Sequence, residues 1–340
     1  MSTWWKNNGR LMPENQNSVQ VKDLTKSFGS FTAVDQVNFC IPKGEIFGLL
    51  GPNGAGKTTT IRMLCGILKP SSGQGSVLGF DISKKPEEIK KRIGYMSQHF
   101  SLYNDLTARE NIQFYASIYG VPRAIRRKRV EELIETSGLE DHFNELTGNL
   151  SGAWRQRLAL ACAIAHDPPM LFLDESTAGV DPVSRREFWD LIYDLAGKDV
   201  SVLATTHYMD EAEYCNTVGM MYQGKLIANA SPDELKDELP GILFQLECNK
   251  PVEAEGILDG LSEVVDSSVH GVLVHVVVRR KRDKSSVLSL LEKNGIEVER
   301  MEEIEPSLED VFITMVESSR SADETYDKPL QPGVFSEQGE

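Results

Sequence analysis

The chain has 340 residues, of which 40% are hydrophobic and 26% charged, a composition typical of a globular protein with two domains. The formal net charge of −15 and a pI near 5.0 argue against a non-specific nucleic-acid binder, because such binding depends on a basic surface. No apolar stretch is long enough to cross a bilayer. The five scattered cysteines lack the spacing of a disulfide framework or a zinc site.

The first part of the chain predicts a flexible start followed by strands. Residues 1–18 lack the apolar core of a signal peptide, and we predict that they form a flexible lead. Strands are predicted at 19–22 and 33–41. The apolar run 46–50 predicts a buried strand, and the spacing of apolar residues over 58–68 predicts an amphipathic helix.

A glycine-rich loop joins that buried strand to that helix. It reads Gly51-Pro-Asn-Gly-Ala-Gly-Lys57-Thr58-Thr59 and fits the pattern G-x-x-x-x-G-K-[ST]. Backbone N–H groups of such a loop surround nucleotide phosphates, and the lysine adds a positive charge beside them. A glycine-rich turn without a ligand is the weaker alternative, because the loop lies in the strand–loop–helix context that the motif requires.

Residues 100–165 are predicted to be mostly helical. A basic run at 126–129 lies on one of these helices and is followed by Glu131 and Glu132. We interpret the run as a solvated face with i,i+4 ion pairs, and attraction to anionic lipid is the alternative.

Two further motifs lie on either side of residue 160. Ser151 and Gly152 begin an alanine-rich helix, where a hydroxyl and free N–H groups can hold an anion. The apolar run 170–173 predicts a strand that ends in Asp174 and Glu175. At the carboxyl end of a parallel strand, Asp174 can hold Mg²⁺ and Glu175 can activate a water molecule.

The pattern changes towards the C-terminus. A β-α-β-β-α-β order over 242–304 and a helix at 307–316 predict a separate ferredoxin-like α+β domain, with bounds 242–318. Polar and acidic residues dominate 319–340, which we predict to be a disordered acidic tail.

Six motifs now stand in a fixed order along residues 19–239. They are Gly51 to Thr59, Gln98, Leu150-Ser-Gly-Ala-Trp154, Asp174-Glu175, Ala178-Gly-Val-Asp181 and His207. In this order they resemble the Walker A, Q-loop, signature, Walker B, D-loop and H-loop elements of the ABC-type ATPase family. The C-terminal domain, which ends in Glu305-Pro-Ser-Leu-Glu-Asp-Val-Phe312, resembles the appendage of subunits that serve ABC-2-type exporters. The resemblance implies an α/β fold: a P-loop NTPase core of ABC type with an antiparallel β subdomain and a helical subdomain, followed by the small domain.

The resemblance also implies a role for each matching residue. The residues implied to bind ATP are Phe28, Asn53, Gly54, Ala55, Gly56, Lys57, Thr58, Thr59, Ser151, Gly152 and Asp181. The residues implied to hold Mg²⁺ are Thr58, Gln98 and Asp174. The implied catalytic residues are Glu175, His207, Lys57 and Gln98, with Glu175 as the base. For Phe28 a place in the core, at a strand edge, stays an open alternative to stacking on adenine.

The family resemblance implies partners as well. Two such domains, here expected to be two copies of this chain, would close on two ATP molecules, with Ser151 and Gly152 reaching the ATP of the opposite copy. Hydrolysis would drive a separate transmembrane permease, which would hold the chain at the cytoplasmic side of the membrane; no nucleic acid is expected. A non-transport ABC ATPase acting on the ribosome or DNA is the alternative, disfavoured because the chain has one cassette and a modest helical insert. The small domain could also be a regulatory or dimerisation module.

Three positions depart from the family pattern. Ala153 replaces a glycine of the signature loop, Trp154 replaces the usual glutamine, and Ser176 replaces the usual proline. None of the three removes a charged catalytic group, so we expect that hydrolysis survives, with altered dimer closure.

Overall fold

The computed structural model describes residues 5–7, 10–12, 17–98 and 102–326. The chain divides into two compact units between Leu235 and Lys236. This division lies a few residues before the boundary that we predict between 239 and 242. Among the described residues, no helix is both long and apolar enough to span a membrane.

The first unit contains twelve strands and most of the helices among the described residues. Its strands are β1 (Trp5–Asn7), β2 (Arg10–Met12), β3 (Asn17–Phe28), β4 (Phe31–Pro42), β5 (Ile46–Leu50), β6 (Ser72–Val77), β7 (Phe80–Asp81), β8 (Ile93–Met96), β9 (Met170–Asp174), β10 (Ser201–Thr206), β11 (Thr217–Tyr222) and β12 (Lys225–Ala230). Its helices are α1 (Lys57–Leu64), α2 (Pro86–Lys90), α3 (Ala108–Ile118), α4 (Arg123–Thr136), α5 (Gly152–Ala163), α6 (Pro182–Ala196), α7 (Met209–Ala212) and the start of α8 (Pro232–Asp237).

The central sheet of this unit has the order β12-β11-β5-β10-β9-β8 and is parallel except for β12 at its edge. Every residue of β5, β9 and β10 is buried, as expected for parallel strands covered on both faces. In the register, Thr205 of β10 lies opposite Asp174 of β9, and Thr206 lies opposite Leu50 of β5. The carboxyl ends of these three strands therefore meet at one edge of the sheet.

A second, antiparallel sheet has the order β4-β3-β6-β7. It shares a hydrophobic core with α1 and the central sheet, which contains Val19, Val21, Phe39, Phe47, Leu49, Ile61, Leu64, Phe172 and Leu203. β3 and β4 are longer than predicted. The sequence does not reveal their outer parts, because exposed polar residues and several register shifts there obscure the alternating pattern. β1 pairs with β2 in antiparallel fashion, within the segment that we predict to be a flexible lead.

The helical region contains α3, α4 and α5. The basic run lies on α4, where Lys128 forms an i,i+4 pair with Glu132 at 3.5 Å. Arg126 donates to the backbone carbonyl of Val121 at 2.8 Å. Arg129 donates to the carbonyl of Ile164 at 2.9 Å and also forms ion pairs with Glu132 at 3.6 Å and with Asp167. The run therefore forms ion pairs on the solvated face of α4, and Arg129 also links α4 to the end of α5.

The second unit has one four-stranded sheet. Its elements are β13 (Ile242–Cys248), α9 (Pro251–Leu258), β14 (Val264–His270), β15 (Leu273–Val278), α10 (Lys284–Lys293), β16 (Val298–Glu303) and α11 (Leu308–Tyr326). All neighbouring strands are antiparallel, in the order β14-β15-β13-β16, which confirms the predicted ferredoxin-like fold. α11 continues into the segment 319–340 that we predict to be a tail, and residues 327–340 lie outside the described residues.

Candidate nucleotide site

The glycine loop connects β5 to α1 at the carboxyl edge of the central sheet. Gly56 immediately precedes α1 with a φ of 106°, and no side chain caps the helix. A Cβ on Gly56 would lie 2.5 Å from the carbonyl oxygen of Ala33, so only glycine fits there. Gly54 has a φ of 83° and open space around it. The first N–H groups of α1 thus face a loop whose backbone an anion can approach closely.

Lys57 is the first residue of α1, and its side chain is buried beneath the loop at 3% exposure. Its Nζ donates to the carbonyl oxygens of Gly51 at 2.7 Å and Pro52 at 3.1 Å. The same ammonium lies 3.2 Å from Oε1 of Glu175. The structure therefore brings the predicted lysine and the predicted base into direct contact.

Asp174 lies at the end of β9 and is almost completely buried. Its Oδ1 accepts hydrogen bonds from the hydroxyl groups of Thr58 at 2.8 Å and Thr205 at 3.0 Å. Thr58 was predicted from the motif, whereas sequence reasoning missed Thr205. The only signal for Thr205 is its register opposite Asp174, which a single sequence does not reveal.

Glu175 follows β9 and stands at the centre of the polar cluster. Its φ of 47° is unusual for a residue with a side chain. Its N–H lies within hydrogen-bond reach of both oxygens of Thr205, and this turn points the carboxylate at the loop. Oε2 accepts from Nε2 of Gln98 at 3.2 Å and lies 3.9 Å from Nδ1 of His207. Among the described residues, that Nδ1 is buried and has no hydrogen-bond partner.

Three predicted residues are exposed at helix starts. Ser151 and Gly152 are exposed at the start of α5, where the Ser151 hydroxyl accepts from the N–H of Trp154 at 3.5 Å. Asp181 caps α6, and hydrogen bonds from Ser184 and Val183 lower the pKa of its carboxyl. Within the described part of the chain, no hydrogen bond or ion pair joins Ser151, Gly152 or Asp181 to Lys57 or Glu175.

The remaining predicted residues surround the loop. Phe28 ends β3 with 51% of its surface exposed and with Nζ of Lys26 5.0 Å from its ring centre, so the alternative of a core aromatic is wrong. Asn53 is exposed, and Thr59 is half-buried in the first turn of α1. Ala55 is buried, and its N–H donates to the carbonyl oxygen of Pro52 at 3.2 Å.

A second buried cluster supports the segment between Glu175 and Asp181. The hydroxyl of Thr177 donates to Glu211, and Nε of Arg185 lies 3.3 Å from the same carboxylate. Burial raises the pKa of Glu211, which is 1% exposed. This cluster, which the sequence did not indicate, ties the segment to α7, next to His207.

The three departures from the family pattern pack in different ways. Trp154 packs against the ring of His142 at 4.3 Å, and the guanidinium of Arg157 lies 5.1 Å from its centre. Ala153 is half-buried in the first turn of α5. Ser176 lines a cavity of about 380 Å³ together with Gln98 and Gly152.

Comparison with known proteins agrees with this geometry. The family described as "ABC transporter" matches residues 34–178, and the one described as "ATP-binding protein DrrA1-3-like, C-terminal domain" matches residues 231–316. The probable multidrug ABC transporter ATP-binding protein YbhF of Escherichia coli (strain K12) is 50% identical over 218 residues. That match covers 64% of this chain and only 38% of the relative, so the chain matches about two fifths of that protein.

Other similarities cover more of the relative. The bacitracin transport ATP-binding protein BcrA of Bacillus licheniformis is 36% identical over 302 residues, which are 88% of this chain and 97% of that protein. A solved dimeric ATP-binding cassette in a post-hydrolysis state, bound to ADP and Pi, is 27% identical with a TM-score of 0.57, and the similarity covers 63% of this chain and 98% of that one. The resemblance indicated by the six motifs is confirmed: the chain belongs to the family of ABC transporter ATP-binding proteins.

Proposed function

We propose that this chain binds and hydrolyses Mg²⁺-ATP as the ATP-binding subunit of an ABC-2-type exporter. The observation that carries the proposal is the meeting of Lys57, Thr58, Asp174 and Glu175 at one edge of the central sheet. An ammonium, a hydroxyl and two carboxylates beside an uncapped helix start are the groups that a phosphoryl-transfer site requires.

The donor set fits a magnesium ion. The hydroxyl of Thr58, the carboxylate of Asp174 and the amide oxygen of Gln98 are hard oxygen ligands, and Mg²⁺ prefers such ligands together with phosphate oxygens. When bound, the ion would neutralise charge on the β- and γ-phosphates. Thr58 and Asp174 already share a hydrogen bond of 2.8 Å, so both are positioned for this role.

Glu175 is the proposed general base. Its carboxylate is held by Gln98 and by the ammonium of Lys57. Phosphate oxygens would compete with this carboxylate for the ammonium, so nucleotide binding would free Glu175 to accept a proton from the attacking water. His207, whose Nδ1 is buried beside Oε2, would hold that water or the γ-phosphate.

The exposed half of the site supports a two-copy mechanism. Ser151 and Gly152 present a hydroxyl and helix N–H groups to solvent, and in the described part of the chain neither is bonded to Lys57 or Glu175 of the same copy. We infer that they complete the ATP site of a second copy, as the dimeric state of the related cassette suggests. ATP would hold the two copies together, and hydrolysis would release them.

Transport itself is proposed from the relatives. They are named for multidrug and bacitracin transport, and we propose that this chain drives export through a separate permease at the cytoplasmic side of the membrane. A membrane protein that co-purifies with the chain from solubilised membranes would support this function. Recovery only with ribosomes or DNA would contradict it.

The composite site is tested by mixing two impaired variants. Lys57→Ala and Ser151→Ala damage opposite halves, so a mixed dimer keeps one site with both halves intact. We expect the mixture to release phosphate much faster than either variant alone. The matched control mixes Lys57→Ala with Glu175→Gln, which damage the same half, and should recover nothing. Recovery in both mixtures, or in neither, would overturn the two-copy site.

A further inference from the structure

Two histidines and an aspartate converge in the second unit. His270 ends β14, His275 lies on β15, and Asp310 lies in the first turn of α11. Nδ1 of His275 is 2.6 Å from Oδ1 of Asp310, and Nε2 of His270 is 3.9 Å from the same oxygen. One side-chain atom from each residue lies within 4.8 Å of the other two.

The carboxylate is held in place from its other side. Oδ2 of Asp310 accepts from the N–H of Ser307 at 2.8 Å and from its hydroxyl at 2.6 Å, which forms a capping box at the start of α11. Burial works against ionisation of Asp310, yet the hydrogen bonds from His275 and Ser307 hold the pKa of its carboxyl below the usual value. The cap thus occupies Oδ2, and Oδ1 of the carboxylate faces the two imidazoles.

A simple tether between β15 and α11 does not account for this arrangement. Such a tether needs one imidazole, and His275 alone supplies it. Here the ring of His270 stacks on that of His275 with centroids 4.1 Å apart and planes 22° apart. Nε2 of His270 also lies 3.1 Å from the hydroxyl of Ser268. A cation bound to both imidazoles and the carboxylate would replace that contact and separate the two rings.

We propose that His270, His275 and Asp310 bind a divalent transition-metal ion, for which Zn²⁺ fits best. Two imidazole nitrogens and one carboxylate oxygen are typical zinc ligands, and imidazoles disfavour Mg²⁺ and Ca²⁺. Metal–ligand distances of about 2.0–2.2 Å place ligand atoms about 3.3 Å apart in a tetrahedral site. His270 would therefore turn out of its stack on His275 and move inward, and the contact between His275 and Asp310 would lengthen slightly.

The site would be open on one side. The side chains of His270 and His275 are 22% and 14% exposed, whereas that of Asp310 is 3% exposed. A fourth position would face solvent and take water. Since the ligands come from the β14–β15 hairpin and from α11, the ion would fasten these elements together and stabilise the second unit.

Metal titration of the full-length chain tests the proposal. Untagged, nucleotide-free protein stripped of metal is titrated with ZnCl₂, and we expect one tight equivalent and a higher melting temperature. His270→Ala and His275→Ala should each weaken binding more than tenfold. His142→Ala is the matched control, because this histidine also pairs with a carboxylate, of Glu145 at 2.9 Å, but lies in the first unit.

Cobalt gives a second readout that does not depend on stability. Co²⁺ bound to two imidazoles and a carboxylate should show visible absorption bands that are lost in both histidine variants and kept in His142→Ala. Metal-free melting curves check that the variants fold like the unmodified chain. Zinc binding equal in all four proteins, or no saturable binding below about 1 mM Zn²⁺, would overturn the site.

Discussion

Two helix starts in the first unit offer the same groups to an anion in different surroundings. α1 begins after Gly56 without a side-chain cap, and its first residue contacts Glu175. α5 begins after Ser151, which caps the helix and is exposed. Both starts present free N–H groups, but only the first has a base and an ammonium beside it. The start of α1 thus holds the reacting groups, and the start of α5 remains available to a partner copy.

The largest effect is expected from the half that holds the reacting groups. Glu175→Gln keeps the size of the side chain and removes the base, so we expect turnover to fall by about 10²–10⁴-fold. ATP affinity should remain, because Lys57 and the loop are intact, and an ATP-bound dimer should accumulate. Phosphate release and gel filtration with ATP measure the two effects. Brisk phosphate release from the purified variant would count against Glu175 as the base.

Ser151→Ala probes the exposed start. It should reduce turnover by about 10²-fold, the cost of losing one hydrogen-bond donor to transition-state charge. Loss of the cap on α5 should also lower the free energy of unfolding by about 1 kcal/mol. ATP binding by a single copy should not change, since Ser151 does not touch the Lys57 cluster. Weaker ATP binding in dilute protein would show that this start serves its own copy.

The sequence predicts the two starts well and their surroundings less well. The loop motif and the Ser151 cap are local patterns, and the structure has both where the spacing places them. Thr205 depends on the register of β10 against β9, which tertiary pairing sets. His275 and Asp310 are 35 positions apart, and only the ferredoxin-like fold brings them together. Sequence reasoning therefore identifies the side chains that belong to a local motif. It misses the side chains that come together only when distant strands and helices pack.

A pair of glycine variants compares the two starts directly. Gly152→Ala places a Cβ in open space at the first turn of α5, so stability should rise by roughly 0.5 kcal/mol. Gly56→Ala combines a positive φ with a contact at 2.5 Å and should cost about 1–3 kcal/mol. Turnover should fall in both variants, for different reasons. The Cβ added at Gly152 would occupy open space where the opposing phosphate is proposed to bind, whereas the Cβ added at Gly56 would press on Ala33 and displace the loop. Thermal unfolding that shifts in the same direction for both would contradict the comparison.

Ala153→Gly should have the smallest effect and tests how the exposed start tolerates its unusual residue. Ala153 is half-buried in the first turn of α5 and has no part in the Lys57 cluster, so ATP binding by one copy should stay unchanged. Removing the Cβ gives an opposing phosphate more room, so turnover alone should shift, by only a few-fold. The helix start would lose up to about 1 kcal/mol of stability, which an unfolding curve separates from the change in rate. Trp154→Gln restores the usual residue at the other departure in the same turn, and it serves as the matched variant for Ala153→Gly. A large loss of ATP binding in Ala153→Gly would refute the assignment of this start to a partner copy, because it would make α5 part of the site that its own chain uses.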